Sequence, residues 1–558
     1  MAAADSSKKL LDAAAKGDAD AVHALLPSSL EKDVQLALRA AAKHGHDAVA
    51  EVLLASKAMD SADARGRTAL SWAAGNGHNK VVKLLLDHDH GHLNSRDTKF
   101  GQTPLSWAAE RGRARVVRLL VAHTGVEADI PDFNGQTPLA WAAEKGYTSV
   151  VKLLLASGRV DVNGRDKGGR TPLWYAANNG CDAVVQALLA HHPAALLDAR
   201  DNGCRSPLWW AATRGHVAVV KQLLDHGADI NASVSSYIDH NKYREEENGT
   251  ALFTVGLFGL TDMFMLLLER GADVNAHDGS WSLLFHLYFG RKQVQALIPH
   301  VLARGADPNW RDEYLQTLLH LAARDGSLDT TRWLLESGAD LEARTEGGLT
   351  PLGYAVTRGR YKMTTLLLEH GAQIEAADQY GNRPLHTIAA TAARERGSFR
   401  VLELLLTKGG ADATATNCFG QTALHHAVQA GGGGSIDGGS DSDGGDSDSG
   451  DSDSDSDSDG GDSDGSDSNG SDSDRSDSDG SDNDIGDNDS GSEIDVAIGL
   501  EAVVRLLLKH GANPNERDQN GRLPLDVVRA PDRTRTPVLE ELLKSEGIKK
   551  ESPYVRYL

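Results

Sequence analysis

The sequence predicts an all-α solenoid built from stacked helix–turn–helix repeats. Three observations carry that expectation. One phrase recurs: G-Q-T-P-L-S-W-A-A-E-R-G from Gly101, G-Q-T-P-L-A-W-A-A-E-K-G from Gly135 and G-R-T-P-L-W-Y-A-A-N-N-G from Gly169. The copies keep step. The Leu of T-P-L, or its equivalent, stands at Leu70, Leu105, Leu139, Leu173, Leu208, Leu252, Leu284, Leu319, Leu352, Leu385, Leu424 and Leu525, and seven of the eleven steps are 33 to 35 residues. A fixed period of this length marks an architecture in which each unit packs only on its neighbours. Each phrase is followed by a stretch such as V-V-K-L-L-L, whose spacing gives a second helix one apolar face.

Each part of the repeat has a local cause. Thr103 and Thr137 stand where a hydroxyl caps the first helix, and the following Pro takes the first helical position, where its missing N–H costs nothing. The A-A pair is small enough for neighbouring helices to approach closely. The Gly after it ends the helix in a left-handed conformation. V-V-K-L-L-L forms the second helix, G-A-D ends it, and D-x-x-G turns the chain into the next repeat. Two upstream copies lack T-P-L: one starts at Leu10 and the other at Leu36.

This motif resembles the ankyrin repeat, whose mark is T-P-L-H-x-A at a period of about 33. Degenerate copies run from Cys204 (C-R-S-P-L-W-W-A-A-T-R-G) and Leu315 (L-Q-T-L-L-H-L-A-A-R-D-G), so the resemblance covers nearly the whole chain outside one acidic segment. It implies an ankyrin-repeat solenoid of about 12 anchored plus 2 degenerate repeats, an arc of roughly 130 Å at ~10 Å per packed helix. The T-P-L-x-W-A-A variants are similar to those of long ankyrin-repeat arrays in filamentous fungi. The expected organisation is degenerate repeats and a cap over 1–62, regular repeats over 63–430, a disordered acidic insert over 431–498, completion of the interrupted repeat and a capping repeat over 499–550, and a tail over 551–558.

The insert is located by the steps that break the period. A step of 44 places extra residues near Ser233 to Glu247, and a step of 39 places them near Thr391 to Arg396. The step of 101 is 68 too long, and Gly431 and Gly499, which fill the same place in A-A-x-x-G-H, are 68 apart. The acidic segment is therefore expected to interrupt one repeat between its two helices. It holds nearly all of the charge. The chain carries −23 over 558 residues, of which −22 lies between Gly431 and Asp495. Its S-D-S-D-S-D run lacks the apolar content to fold. Several readings stay open for it: an electrostatic lure for basic proteins, a target of acidophilic kinases, a weak Ca²⁺ binder without a fixed loop, or a tolerated expansion of a surface turn.

The rest of the chain is nearly neutral, which disfavours a nucleic-acid partner. Three cysteines, Cys181, Cys204 and Cys418, exclude a disulfide scaffold and have no zinc-ligand spacing. Met1 to Leu10 has no apolar core of a secretory signal. The apolar run Thr250 to Leu268 reads as two short helices joined at Gly259 rather than a membrane span. An intracellular protein without membrane contact is expected. There is no G-x-x-x-x-G-K-[ST], H-E-x-x-H or G-x-S-x-G, so neither catalytic residues nor a cofactor is expected. Asp87-His88-Asp89-His90-Gly91-His92 looks like a metal tract, but it sits where D-H-G closes a repeat and reads as a solvated turn.

An aromatic stripe stands two places after the anchor Leu: Trp72, Trp107, Trp141 and Trp210, with Tyr175 in register. It reads as a half-buried stacking ladder rather than a partner grip, because indoles bury large areas. Trp174 and Trp209, one place earlier, are expected to be more exposed and are assigned to the binding surface. The ankyrin resemblance implies partners at the turn tips and on the first-helix face. The tips map to Phe133, Gln136, Lys167, Arg170, Tyr380, Arg383 and Phe419, and the helix face to Glu110, Arg111, Glu144, Lys145, Thr213 and Arg214. The expected function is a non-enzymatic scaffold or adaptor that binds other proteins, with sequestration of basic partners by 431–498 as the alternative.

Overall fold

Thr before Pro starts a helix at each of its occurrences among the described residues. In the computed structural model Thr137 sits in extended backbone and accepts the Ala140 N–H on its hydroxyl, and Pro138 opens helix Pro138–Glu144. Thr103, Thr171 and Thr350 do the same before Pro, and Thr68 and Thr250 do so before Ala. The helix stops within two turns because Gly146 has φ 74°, which a side chain would strain. The structure describes residues 2–56, 61–88, 92–191, 197–234, 249–277, 281–392, 394, 396–431 and 493–527. Among them only isolated β-bridges occur, such as Val234 with Gly249, and no strands.

The chain divides into two units, residues 1–318 with 332–340, and residues 319–331 with 341–558. In the first, helices Ala69–Asn76, Pro104–Glu110, Pro138–Glu144, Pro172–Asn178, Pro207–Thr213, Ala251–Leu257 and Leu283–Phe289 pack one on the next as one row. Asn79–His88, Ala114–Ala122, Thr148–Ala156, Asp182–His191 and Val217–Asp225 form a second row behind them. Two upstream pairs, Ala2–Lys16 with Ala19–Leu25 and Glu31–His44 with Asp47–Ala55, extend both rows. The core lies between the rows. Leu139, Ala142 and Ala143 of one helix and Val150, Val151 and Leu154 of its partner are fully buried. Each such aliphatic side chain contributes about 1.5–3 kcal/mol.

The run Thr250 to Leu268 is indeed two helices, Ala251–Leu257 and Thr261–Glu269, turned at Gly259 with φ 69°. The next repeat departs from the pattern. Its second helix is broken into Lys292–Gln295 and Ile298–Leu302, because Pro299 offers no N–H and crowds the carbonyl four residues back.

In the second unit, Pro351–Thr357, Pro384–Ala392 and Ala423–Gly431 form one row, with Tyr361–Glu369, Arg396–Thr407 and Glu493–Lys509 behind. Helix Glu493–Lys509 packs on Ala423–Gly431 and on Arg396–Thr407. The Gln519 N–H donates to the Phe419 carbonyl at 3.0 Å, the same bond that joins consecutive turns elsewhere. Residues 432–492, most of the acidic segment, lie outside the described residues. So do 235–248, which hold most of the first extra stretch, and 528–558, with the end of the expected capping repeat and the tail.

Candidate functional site on the turn tips and first helices

Most of the turns are built around one carboxylate, with Asn417 and Thr345 at its place in two of them. Asp132 Oδ1 accepts the N–H groups of Asn134 and Gln136 at 2.8 and 2.9 Å, and the Asp132 and Gly135 N–H groups close the turn on the Gln136 and Asp132 carbonyls. The other oxygen, Oδ2, accepts the indole N–H of Trp141 at 3.2 Å. The pattern recurs. Trp72 donates to Asp63, Trp107 to Asp97 and Trp210 to Asp201, and the Tyr175 hydroxyl donates to Asp166 at 2.6 Å. The aromatic stripe thus pins each first helix to its own turn. Burial works to raise the Asp63 carboxyl, but the N–H groups of Arg67 and Arg65 and the Trp72 indole outweigh it and hold it below the ordinary carboxylate value. Burial, and then the bond to Asp166, push the Tyr175 hydroxyl far up, so it stays a donor.

Successive turns are joined by backbone. Phe133 donates to the Phe100 carbonyl, Lys167 to Asn134, Asn202 to Gly168 and, in the second unit, Gln379 to Gly347 and Cys418 to Tyr380. This ladder explains the turn glycine. At Gly135, φ is 87° and a Cβ would stand 2.9 Å from the Asp166 Cα. Cys204 and Leu315 occupy the same place with φ 61° and 57° despite their side chains.

Against this frame the sequence-selected residues separate. Phe133, Tyr380 and Phe419 are exposed at the tips, as is Lys167. Arg170 and Arg383 are half-buried and ion-paired, Arg170 with Asp166 at 2.8 Å and Arg383 with Glu375 at 2.6 Å. Gln136 is only 5% exposed and donates to Glu144 Oε2 at 2.6 Å, as Gln102 does to Glu110 at 3.0 Å. Arg111, Lys145 and Arg214 are exposed on the helix ends; Thr213 is half-buried and donates its hydroxyl to the Trp209 carbonyl.

The expectation that Trp174 and Trp209 are exposed is corrected: they are 6% and 5% exposed. Their place in the repeat is that of His320, His386 and His425, whose rings face the next repeat's backbone. Trp174 uses the place in the same sense and donates its indole N–H to Asp201 Oδ2 at 3.2 Å. Trp174, Tyr175, Trp209 and Trp210 meet edge to face with centroids 5.1 to 5.2 Å apart. Trp174 still borders the surface. Together with Gln136, Trp141, Glu144, Arg170, Tyr175, Asn178 and Asn179 it lines an open cleft of about 370 Å³ on the first-helix face. A larger depression of about 720 Å³, lined by residues of the 124–131 loop and Arg159, holds none of the selected residues.

Three features were not singled out from sequence. Phe100 and Tyr314 are exposed at turn tips like Phe133. The turn Asp is a partner of the stripe, and the recurring spacing of nine or ten residues between them was a readable signal. Arg67, buried between Trp72 and Trp107, stands in phase with Gln102 and Gln136. Of the histidine tract, Asp87 and His88 end helix Asn79–His88, His92 Nδ1 lies 3.1 Å from Ser95 Oγ, and residues 89–91 are outside the described set. No group of three or more His, Cys, Asp or Glu placed to hold a metal occurs among the described residues.

Paired helices joined by short turns, with side chains displayed on tips and inner helices, define a repeat scaffold that presents a surface rather than a closed site. Family models agree: ankyrin repeats in three-copy blocks match residues 10–97, 90–166, 159–234, 205–278 and 283–378, and single ankyrin repeats match 380–418 and 496–519. The chain belongs to the ankyrin-repeat family. Ankyrin repeats are protein–protein interaction modules, and proteins built from them are generally non-enzymatic. No helix among the described residues is long and apolar enough to cross a membrane.

Proposed function

We propose that this protein is a non-enzymatic scaffold or adaptor that binds partner proteins through its turn tips and first-helix face. The observation that carries the reading is the exposure of large aromatic side chains at the tips: Phe100, Phe133 and Tyr314 in the first unit, Tyr380 and Phe419 in the second. Aromatic anchors of this kind dominate binding energy in protein interfaces. The cleft beside Trp174 and Arg170 gives the same face a concave element. The acidic segment 431–498 is proposed as the loop between the two helices of one repeat, a second surface for basic partners.

The test is affinity capture from native lysate with the full chain, with a Phe133→Ala, Tyr380→Ala, Phe419→Ala triple variant, and with a chain lacking 431–498, each at low and high salt. A partner that survives salt and loop deletion but is lost with the triple variant supports the scaffold reading. Basic partners that vanish with salt and with the loop would move the function to the acidic segment. Unchanged capture by the triple variant would reject the tips as the surface.

A further inference from the structure

The loops that follow the second helices are tied to one another by a recurring amide. Asn94 Oδ1 accepts the Glu127 N–H at 2.9 Å, and its Nδ2 donates to the Gly125 carbonyl, two residues earlier, at 2.9 Å. Asn275 spans Asp307 and Gly305 in the same way, and Asn309 spans Asp340 and Gly338. One planar group thus offers an acceptor to an N–H and a donor to a carbonyl of the next loop.

One repeat after Asn94 this place is taken by Asp129. Its Oδ2 accepts the Asp161 N–H at 3.0 Å, as Asn94 Oδ1 accepts that of Glu127. A carboxyl is planar too, so Oδ1 falls where the amide nitrogen of Asn94 stands, toward the carbonyl two residues before Asp161, that of Arg159. Oδ1 is buried and has no hydrogen-bond partner. An ionised carboxylate can only accept, and so can a carbonyl, so the pair is unsatisfied unless a proton lies between them. Asp198 fills the same place and accepts the Asp229 N–H, but it is exposed, and solvent reaches its other oxygen.

The groups of the adjoining loops do not relieve the conflict. Arg96 donates to the Gly101 carbonyl, and Arg159 to those of Val121 and His123. His123 Nδ1 takes the Gly125 N–H, and Glu127 lies 3.5 Å from the Asn94 amide. Asp161 acts on Asp129 with a charge of the same sign. Burial, reinforced by that charge and opposed by the Asp161 N–H, raises the Asp129 carboxyl above its ordinary value.

We propose that Asp129 is a proton-operated latch between its own loop and the loop at 159–161. Protonated, the carboxyl accepts the Asp161 N–H on one oxygen and donates from the other to the Arg159 carbonyl, as Asn94 does one repeat earlier. Ionised, it keeps the first bond and sets an anion against the carbonyl. Asp129 and Arg159 both line the open depression of about 720 Å³, which gives the proton a route to solvent. The folded chain therefore holds this proton more tightly than the unfolded chain. The stability that the latch contributes is complete below the ordinary value of 3.8 and is lost as the pH rises through the raised folded value.

Asp129→Asn makes the donor permanent, with the residue that Asn94 already places there. Full-length wild type and D129N are unfolded in urea at pH values from about 4 to about 8 and followed by indole emission. The advantage of D129N is expected to be smallest near pH 4 and to grow with pH to about tenfold in the unfolding equilibrium, the worth of one hydrogen bond. Hydrogen exchange read by mass spectrometry tests the latch locally. After correction for the intrinsic rate, the peptide spanning 157–163 should lose protection as the pH rises in wild type and keep it in D129N. An advantage that is the same at every pH, a D129N less stable than wild type across the range, or protection that falls equally in both proteins would overturn the latch.

Discussion

Acidification from about pH 7.5 to about pH 5 is expected to weaken the second unit selectively, because three histidines act there as neutral acceptors, His386 and His425 buried and His426 half-buried. His386 Nδ1 accepts the Arg383 N–H, so the proton sits on Nε2, which donates to the Gln421 carbonyl at 3.1 Å. His425 repeats the arrangement, with Nδ1 on the Thr422 N–H and Nε2 donating to the Arg522 carbonyl at 3.3 Å. His426 Nε2 accepts the Asn417 amide at 3.3 Å, and its ring lies 5.5 Å from that of His386. Protonating any of them breaks an accepted bond inside the fold and brings a charge near other imidazoles. Burial, followed by those neighbours, pushes His426 from 6.5 down to about 4, and burial lowers His386 and His425 too.

The folded state therefore binds fewer protons than the unfolded chain below the ordinary histidine value. The stability that His426 contributes is complete above about pH 6.5 and is lost as the pH falls toward 4. From about pH 7.5 to about pH 5 this one residue accounts for about 2 kcal/mol, with the other two adding in the same direction. The assay follows from the sequence. All nine Trp lie outside residues 319–331 and 341–558, so indole emission reports the first unit while far-UV circular dichroism reports both. Urea titrations at the two pH values should show the dichroism midpoint falling at low pH in a phase without indole change. In His426→Leu, which takes the residue found in register at Leu321, about 2 kcal/mol of that dependence should disappear. The same pH dependence in the variant would refute the argument.

Other substitutions probe the turns. Leu315→Gly should raise stability by about 0.5–1 kcal/mol, because a left-handed non-glycine costs ~1–2 kcal/mol and the added chain entropy of Gly returns part of it; a lower urea midpoint would contradict the strain. Asp132→Ala should cost about 3 kcal/mol by stranding the N–H groups of Asn134 and Gln136 and the Trp141 indole, whereas Asp132→Asn should cost about 1 kcal/mol, since Asn417 makes the same turn with its Oδ1. Equal losses, read by indole emission, would show that the charge rather than the acceptor geometry holds the turn. Thr137→Ala should cost about 1 kcal/mol through the lost helix cap, measured the same way.

The fold was legible because every repeat states its own rules. T-P sets the cap, A-A sets the approach, and the anchor Leu sets the phase, so repetition averages out local ambiguity. What escaped was tertiary. Nothing local in V-Q-A-L-I-P-H-V-L says that the chain will keep the repeat after its second helix breaks at Pro299. The tips were partly legible, since Phe133, Tyr380 and Phe419 lie in turns joined by backbone bonds and remain exposed.

Trp174 and Trp209 show why site assignment from a repeat fails where fold assignment succeeds. Helical phase alone places them beside the stripe, and one step of 100° suggests a turn toward solvent. A stacked repeat, however, buries two faces of its first helix, one against its own turn and one against the next repeat. The position after the anchor Leu belongs to that second face. It is filled by His320, His386 and His425 where a ring nitrogen meets the next repeat's backbone, and by Trp174 where the next turn supplies Asp201. Exposure is thus decided by the neighbouring repeat.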